Sequence, residues 1–154
     1  MTPRRCQDLA AFAAVLALIR AAFADMEGRI DPPSSMHALT VEGLAAQAET
    51  AEVWAIGHPP AACVILTPKP QTLYIGKLAV AAEHRRHGHA RALIALAETR
   101  ARALGLPALE LQTRVELTEN HAAFRALGFT ETGRSAHPGY SRPTSITFRR
   151  AVAP

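Results

Sequence analysis

Apolar residues near the start of the chain recur at three- and four-residue steps. Leu9, Phe12, Leu16, Ile19 and Phe23 form this series, with Asp8, Arg20 and Asp25 interrupting it. The step is the helical period, so it predicts an amphipathic helix over residues 8–25. A loop over 26–36 follows. A second helix is predicted over 39–48, weakened by Gly43. The period then shortens to that of a strand. Residues 51–56, 61–67 and 72–80 read as strands, the first two joined by a turn at 57–60. Gly76 inside the third predicts a bulge or a close approach by another backbone.

The helical period returns in Ala90, Leu93, Ile94, Ala97, Ala101 and Leu104. These form one stripe of a helix over 88–104, which Gly105 and Pro107 stop. Residues 108–113 alternate as a strand. Thr118 is placed to cap a short helix over 119–127 that ends at Gly128. Strands over 129–134 and 145–149 close the pattern, joined by a loop over 135–144. Any strand ahead of the first helix must fit into the first few residues. Strand, long helix, strand implies two parallel strands with a crossover helix between them. The three strands before it read as an antiparallel meander. The expected fold is therefore mixed α/β: a central sheet with helices on both faces.

Length suits one domain covering 1–154. Hydrophobic residues at 49% exclude a disordered chain. No apolar run reaches the ~20 residues of a membrane span, so no membrane partner is expected. The alanine-rich segment after Arg4 and Arg5 reads as a retained amphipathic helix and not as a leader. Cys6 and Cys63 read as free thiols in a reducing compartment, and a cytoplasmic protein is expected. The formal charge is +4, but the lysines are only Lys69 and Lys77, and the arginines are spread from Arg4 to Arg150. There is no dense basic tail, so nucleic acid is not an expected partner.

Chemistry concentrates at one junction, where Leu78, Ala79 and Val80 end a strand and a basic turn leads into the long helix. The turn reads Arg85-Arg86-His87-Gly88-His89-Ala90-Arg91. A helix N-terminus leaves N–H groups unpaired and binds anions. Gly88 and Ala90 let backbone approach a phosphate, and Arg85, Arg86 and Arg91 supply charge-assisted bonds. A dinucleotide fingerprint fails because only Gly88 is present, and a Walker loop fails for lack of Gly-Lys-Ser/Thr. His84, His87 and His89 invite a metal reading. Their spacing does not put three imidazoles on one helix face, and no cysteine or carboxylate set completes a zinc pattern, so no metal is expected.

Arg85-x-x-Gly88-x-Ala90 resembles the acetyl-CoA signature of the GNAT superfamily (GCN5-related N-acetyltransferases). The residues Asn120 to Phe129 (NHAAFRALGF) resemble its second cofactor-contacting motif. The likeness extends over most of the chain, from about Leu9 to Arg149. It implies a sheet of about six to seven strands with about four helices, its parallel strands splayed at the cofactor. It further implies acetyl-CoA as acyl donor, with Leu78, Ala79 and Val80 facing the pantetheine arm and the backbone of Arg86 to Arg91 cradling the pyrophosphate. Asn120 and Phe124 would lie beside the pantetheine and thioester, and Arg125 near the adenosine phosphates. The implied activity is N-acetylation of a small-molecule or peptide amine by direct attack in a ternary complex. A catalytically weak acetyl-CoA-binding regulatory domain is the alternative.

One position departs from the family. Phe124 stands where many members carry a tyrosine, and a phenyl ring donates no proton to the departing thiolate. Tyr74 and Tyr140 are the remaining catalytic candidates, against a sheet-face ring and a loop-packing ring respectively. Glu83 reads more as a turn residue than as a base. By resemblance the first loop helps to form the acceptor pocket, where Glu27 or Asp31 would hold a cation and Arg29 a carboxylate; solvated loop charges are the competing reading. Edge strands leave a homodimer open.

Overall fold

Side-chain caps on extended residues start the first two helices, and backbone alone starts the last two. The structure, a computed structural model, describes residues 2–153. Helix α1 (Leu9–Phe23) starts at Asp8, whose carboxylate accepts the Ala11 N–H at 2.8 Å. A 3-10 turn (Ala24–Met26) continues it. Thr40 caps α2 (Val41–Gln47) in the same way, accepting from Gly43. Helix α3 (His89–Ala103) starts differently: its N-cap is Gly88, at φ +80, with no side-chain bond. Thr118 is the first residue of α4 (Thr118–Ala126), and the N-cap position is Leu117. The expected Thr118 cap is therefore replaced by Leu117 backbone, which accepts the Asn120 N–H at 3.0 Å.

The strands among the described residues are β1 (Arg4–Arg5), β2 (Glu52–Ile56), β3 (Ala62–Pro68), β4 (Leu73–Val80), β5 (Ala108–Arg114), β6 (Thr130–Ser135) and β7 (Ser145–Ala151). They form one seven-stranded sheet in the order β1-β2-β3-β4-β5-β7-β6. The N-terminal strand that had to fit ahead of α1 is present as two residues paired with β2. Strands β2 to β4 form the expected antiparallel meander. Strands β4 and β5 are the parallel pair, with α3 as crossover. At the far edge β6 is solvent-exposed along its length, and its pairing with β7 shifts register between Glu131 and Gly133.

Helices cover both faces. On one, Phe12, Val15, Leu16 and Ile19 of α1 and Leu44 of α2 pack on Val53, Cys63 and Ile65. On the other, Leu93, Ile94, Ala97 and Ala101 of α3 pack on Val64, Leu73, Leu109 and Phe148, with Phe124 of α4 at the margin. Each fully buried aliphatic side chain contributes about 1.5–3 kcal/mol relative to exposure, so these two layers dominate the stabilisation. Among the described residues, the two buried glutamates are paired. Glu52 takes Arg100 at 2.8 Å and the Trp54 indole at 2.9 Å, and Glu110 lies between Lys69 and Arg149. Cys6 and Cys63 are free and buried, and burial pushes the Cys63 thiol up to about 12. Among the described residues, no helix is long and apolar enough to cross a membrane.

Candidate active site at the strand splay

Strands β4 and β5 pair only through Leu73 with Leu109 and Tyr74 with Glu110. Beyond those pairs they part. The cause lies on β4: Cys63 pairs with Ala79 and Ile65 with Gly76, so β4 has one residue more than β3 over this stretch. Lys77 absorbs it at φ +50, the left-handed region. The bulge that Gly76 suggested is thus real but sits on its neighbour, and it bends β4 away from β5.

A cavity of about 670 Å³ fills the opening. Gly76, Lys77 and Leu78 line it from β4, and Leu111 to Arg114 from β5. Asn120 and Phe124 of α4 contribute, as do His137 and Tyr140 of the 135–144 loop. Tyr74 stands where the strands separate. Burial first, then the Glu110 charge, pushes its phenol up, while Lys69 sits 4.2 Å from its ring centre. Burial holds the Lys77 ammonium below its usual range, with the Arg114 charge adding to the effect. Among the described residues no Asp or Glu lines this cavity, whereas Lys77 and Arg114 do.

The mouth of the cavity is tied by side chains. Arg114 donates to the carbonyls of Pro32 at 2.6 Å and Pro33 at 3.1 Å. Asp31 accepts from the Tyr140 hydroxyl and pairs with Arg142 at 3.5 Å, while its N–H donates to Glu116 Oε2 at 3.1 Å. Glu116 Oε1 is buried and without a partner among the described residues. The hydrogen bond to Asp31 is the main cause that raises the Tyr140 phenol. Arg29 pairs with Glu119 at 2.6 Å and Glu27 with His37 at 2.6 Å. Glu27 and Asp31 line a smaller adjoining cavity of about 280 Å³, and Arg29 lines neither. The three loop charges expected to meet an acceptor are thus engaged with protein partners.

The turn after β4 has a different construction. A 3-10 turn (Ala82–His84) leads to Arg86 at φ +67 and Gly88 at φ +80, and α3 begins at the next residue. Gly88 in the left-handed region directly before the right-handed first turn of α3 is the alternation of backbone hand from which an anion nest is built. A Cβ at Gly88 would meet nothing within 4 Å, so the space above it is open. Arg85, Arg86 and Arg91 flank this opening in sequence.

The expected site residues therefore fall into three groups. Leu78, Asn120, Phe124, Tyr74 and Tyr140 share the main cavity. Arg85 to Gly88 form the turn after β4 and His89 to Arg91 open α3, and none of them is among the residues that line the cavity. Ala79 is buried against the α1 side and Val80 packs against the α3 side, and neither is among the residues that line the cavity. Asn120 Nδ2 lies 3.4 Å from Thr113 Oγ1. Lys77, Arg114, Glu116 and His137 were not singled out from the sequence. Lys77 alone carried a signal there, as a lone cation in an apolar strand; the others are brought in by contacts across the fold.

The family model described as acetyltransferase (GNAT) family matches residues 15–129. A comparison with curated proteins gave no match. Among solved structures, one described as a putative acetyltransferase of the GNAT family from Desulfovibrio desulfuricans superposes with TM-score 0.78 at 17% identity, covering 99% of each chain. The ribosomal-protein-S18-alanine N-acetyltransferase of Escherichia coli gives 0.71 at 19%, covering 99% of this chain and 95% of that one. Ard1 from Thermoplasma volcanium gives 0.74 at 15%, covering 99% and 98%. At these identities the likeness establishes the fold.

Proposed function

The chain belongs to the GNAT acetyltransferase family, and from that premise we propose that it is an N-acetyltransferase that moves an acetyl group from acetyl-CoA to a primary amine. One observation carries the reading: the β4–β5 splay opens a cavity beside a turn with two left-handed residues at the start of a long helix. The splay fits a pantetheine arm lying between the strands. The turn fits a pyrophosphate, because Gly88 leaves open space where any side chain would intrude. Arg85, Arg86 and Arg91 add charge.

The bound acyl donor supplies the activated acetyl group, which a neutral amine attacks in a ternary complex. The residues of this chain would do the rest. Backbone of β4 near the bulge orients the carbonyl and stabilises negative charge on its oxygen. His137 lines the cavity, is held by Thr144 Oγ1, and would take the proton of the attacking amine. Tyr140 retains its proton, since its phenol is raised, and it is the donor nearest in kind to the tyrosine that Phe124 replaces. To protonate a thiolate it must exchange Asp31 for the sulfur. Tyr74, also raised, is a proton donor and not a base.

The cavity lining also favours one type of acceptor. With Lys77 and Arg114 present and no carboxylate among the described lining residues, it suits an amine that carries an anionic group elsewhere, such as an amino acid or peptide terminus. A polyamine would meet like charge. Replacement of the usual tyrosine by Phe124 supports the second reading, a weak or inactive acetyl-CoA-binding domain.

Acetyl-CoA binding by calorimetry, followed by CoA release with an amine panel, tests both. Saturable binding and turnover with anionic amines over polyamines would support the enzyme. Binding without turnover on any amine would support the second reading. Absence of acetyl-CoA binding would overturn both.

A further inference from the structure

The same turn gathers three imidazoles that sequence spacing seemed to keep apart. They do not share a helix face. His84 ends the 3-10 turn, His87 lies between the left-handed Arg86 and Gly88, and His89 opens α3. The two reversals of backbone hand fold the segment back on itself, and that brings the rings together. Their centroids lie 6.3, 6.2 and 6.2 Å apart, and their planes meet at 68°, 71° and 73°. One ring nitrogen from each lies within 4.8 Å of the other two.

This near-threefold arrangement needs a cause. Aromatic packing is a poor one, because the rings are partly or fully exposed and loosely spaced. Anion binding alone does not require three rings disposed symmetrically about one point. A metal ion does. Three imidazoles on one face of an ion at about 2.0–2.1 Å place their nitrogens roughly 3.4 Å apart. Closing from the present spacing takes small side-chain rotations on an exposed turn. No carboxylate or cysteine joins the cluster among the described residues, so the donor set is all nitrogen. Such a set suits a borderline divalent transition ion and not calcium or magnesium.

We propose that His84, His87 and His89 bind one divalent transition-metal ion, of the zinc, cobalt or nickel class, through three imidazole nitrogens. A fourth position stays open to water or to an anion at the turn. This is the pattern of a site with exchangeable ligands and not of a closed structural site. The inference rests on the ring geometry and stands apart from the acyl-transfer reading. Where both hold, the ion adds positive charge beside the phosphate turn, so metal and acetyl-CoA affinities become reciprocally linked.

The test uses chelator-treated full-length protein in phosphate-free buffer without acetyl-CoA. Zn²⁺ is titrated by calorimetry, and Co²⁺ is followed by its visible absorption. The expected result is one ion per chain and the intense spectrum of low-coordinate cobalt, displaced by zinc. His87→Ala should weaken zinc by more than ~100-fold, beyond the roughly 10–100-fold typical of a lost outer-sphere partner. The His84→Ala/His89→Ala double variant should abolish it, and His58→Ala, an exposed histidine elsewhere, should change nothing. Circular dichroism and thermal melting confirm that each variant folds. Zinc binding that is absent in the wild type, or retained in the folded double variant, overturns the proposal. Because acetyl-CoA is measured separately, its binding can fail while zinc binding holds, and the reverse.

Discussion

The two ends of the splay are built on different principles. The turn from Ala82 to His89 takes its shape from backbone: a 3-10 turn, two left-handed residues and a helix start. The rim on the other side takes its shape from side chains. Asp31, Tyr140, Arg142, Arg114, Arg29 and Glu119 join segments that are far apart in sequence. A backbone site tolerates changes of side chain but not changes of conformation or of charge at its centre. A side-chain rim behaves in the opposite way. Each of its links is replaceable and worth little alone, because exposed ion pairs contribute about 0–1 kcal/mol.

This contrast can be broken by mutation. The largest effect should come from Gly88→Glu, which puts a carboxylate into open space at the anion turn and forces a non-glycine residue to φ +80. Acetyl-CoA affinity measured by calorimetry should fall by at least ~100-fold. That corresponds to about 2.7 kcal/mol, from the left-handed backbone cost together with charge repulsion. Gly88→Ala should lose only the conformational part, about tenfold. Equal effects of the two would mean that no anion sits there.

Next comes Tyr140→Phe. If the phenol protonates the departing thiolate, kcat should drop by about 100-fold with little change in acetyl-CoA affinity. The sign of its pH dependence follows from the raised phenol: it stays protonated from neutral pH to beyond the ordinary tyrosine value of about 10, so kcat should lose this acid only above that. An alkaline limb well below pH 9 that survives in Tyr140→Phe would assign the limb to another group.

Asp31→Asn should act more weakly, raising the acceptor KM by about fivefold (roughly 1 kcal/mol) through loss of the Arg142 ion pair and of the negative charge that strengthens the Tyr140 hydrogen bond. The smallest effect should be the coupling of Arg29 with Glu119. A double-mutant cycle on stability should give about 0.2–1 kcal/mol, falling further at high salt.

The same contrast explains what was legible in the sequence. The turn could be read, because glycine, small and basic residues at fixed short spacing report directly on backbone. The long helices and the meander could be read from their periods. The rim could not: Arg114 reaches Pro32, and Tyr140 reaches Asp31, across more than eighty positions, and no local pattern encodes such pairs. Glu27, Arg29 and Asp31 looked like free loop charges because their partners are distant or sit on another element. The histidine cluster was obscured for a further reason. Helix-face spacing was the wrong test for a segment that reverses backbone hand at Arg86 and Gly88. The β4 bulge was visible only to within a residue, because Gly76 marks the weak point while Lys77 takes the strain.

The edges of the sheet bear on what happens when many copies share a crowded solution. At one side β1 offers only Arg4 and Arg5. At the other, β6 is exposed throughout, yet it breaks register near Gly133 and carries a Glu131–Arg134 pair. A foreign strand seeking to extend the sheet would find a two-residue template at one side and a kinked, charged one at the other. Both are poor seeds for cross-β growth. Straightening β6 and making it apolar, for example by Glu131→Val with Gly133→Val, is the change most apt to turn this charged edge into a nucleus for fibres.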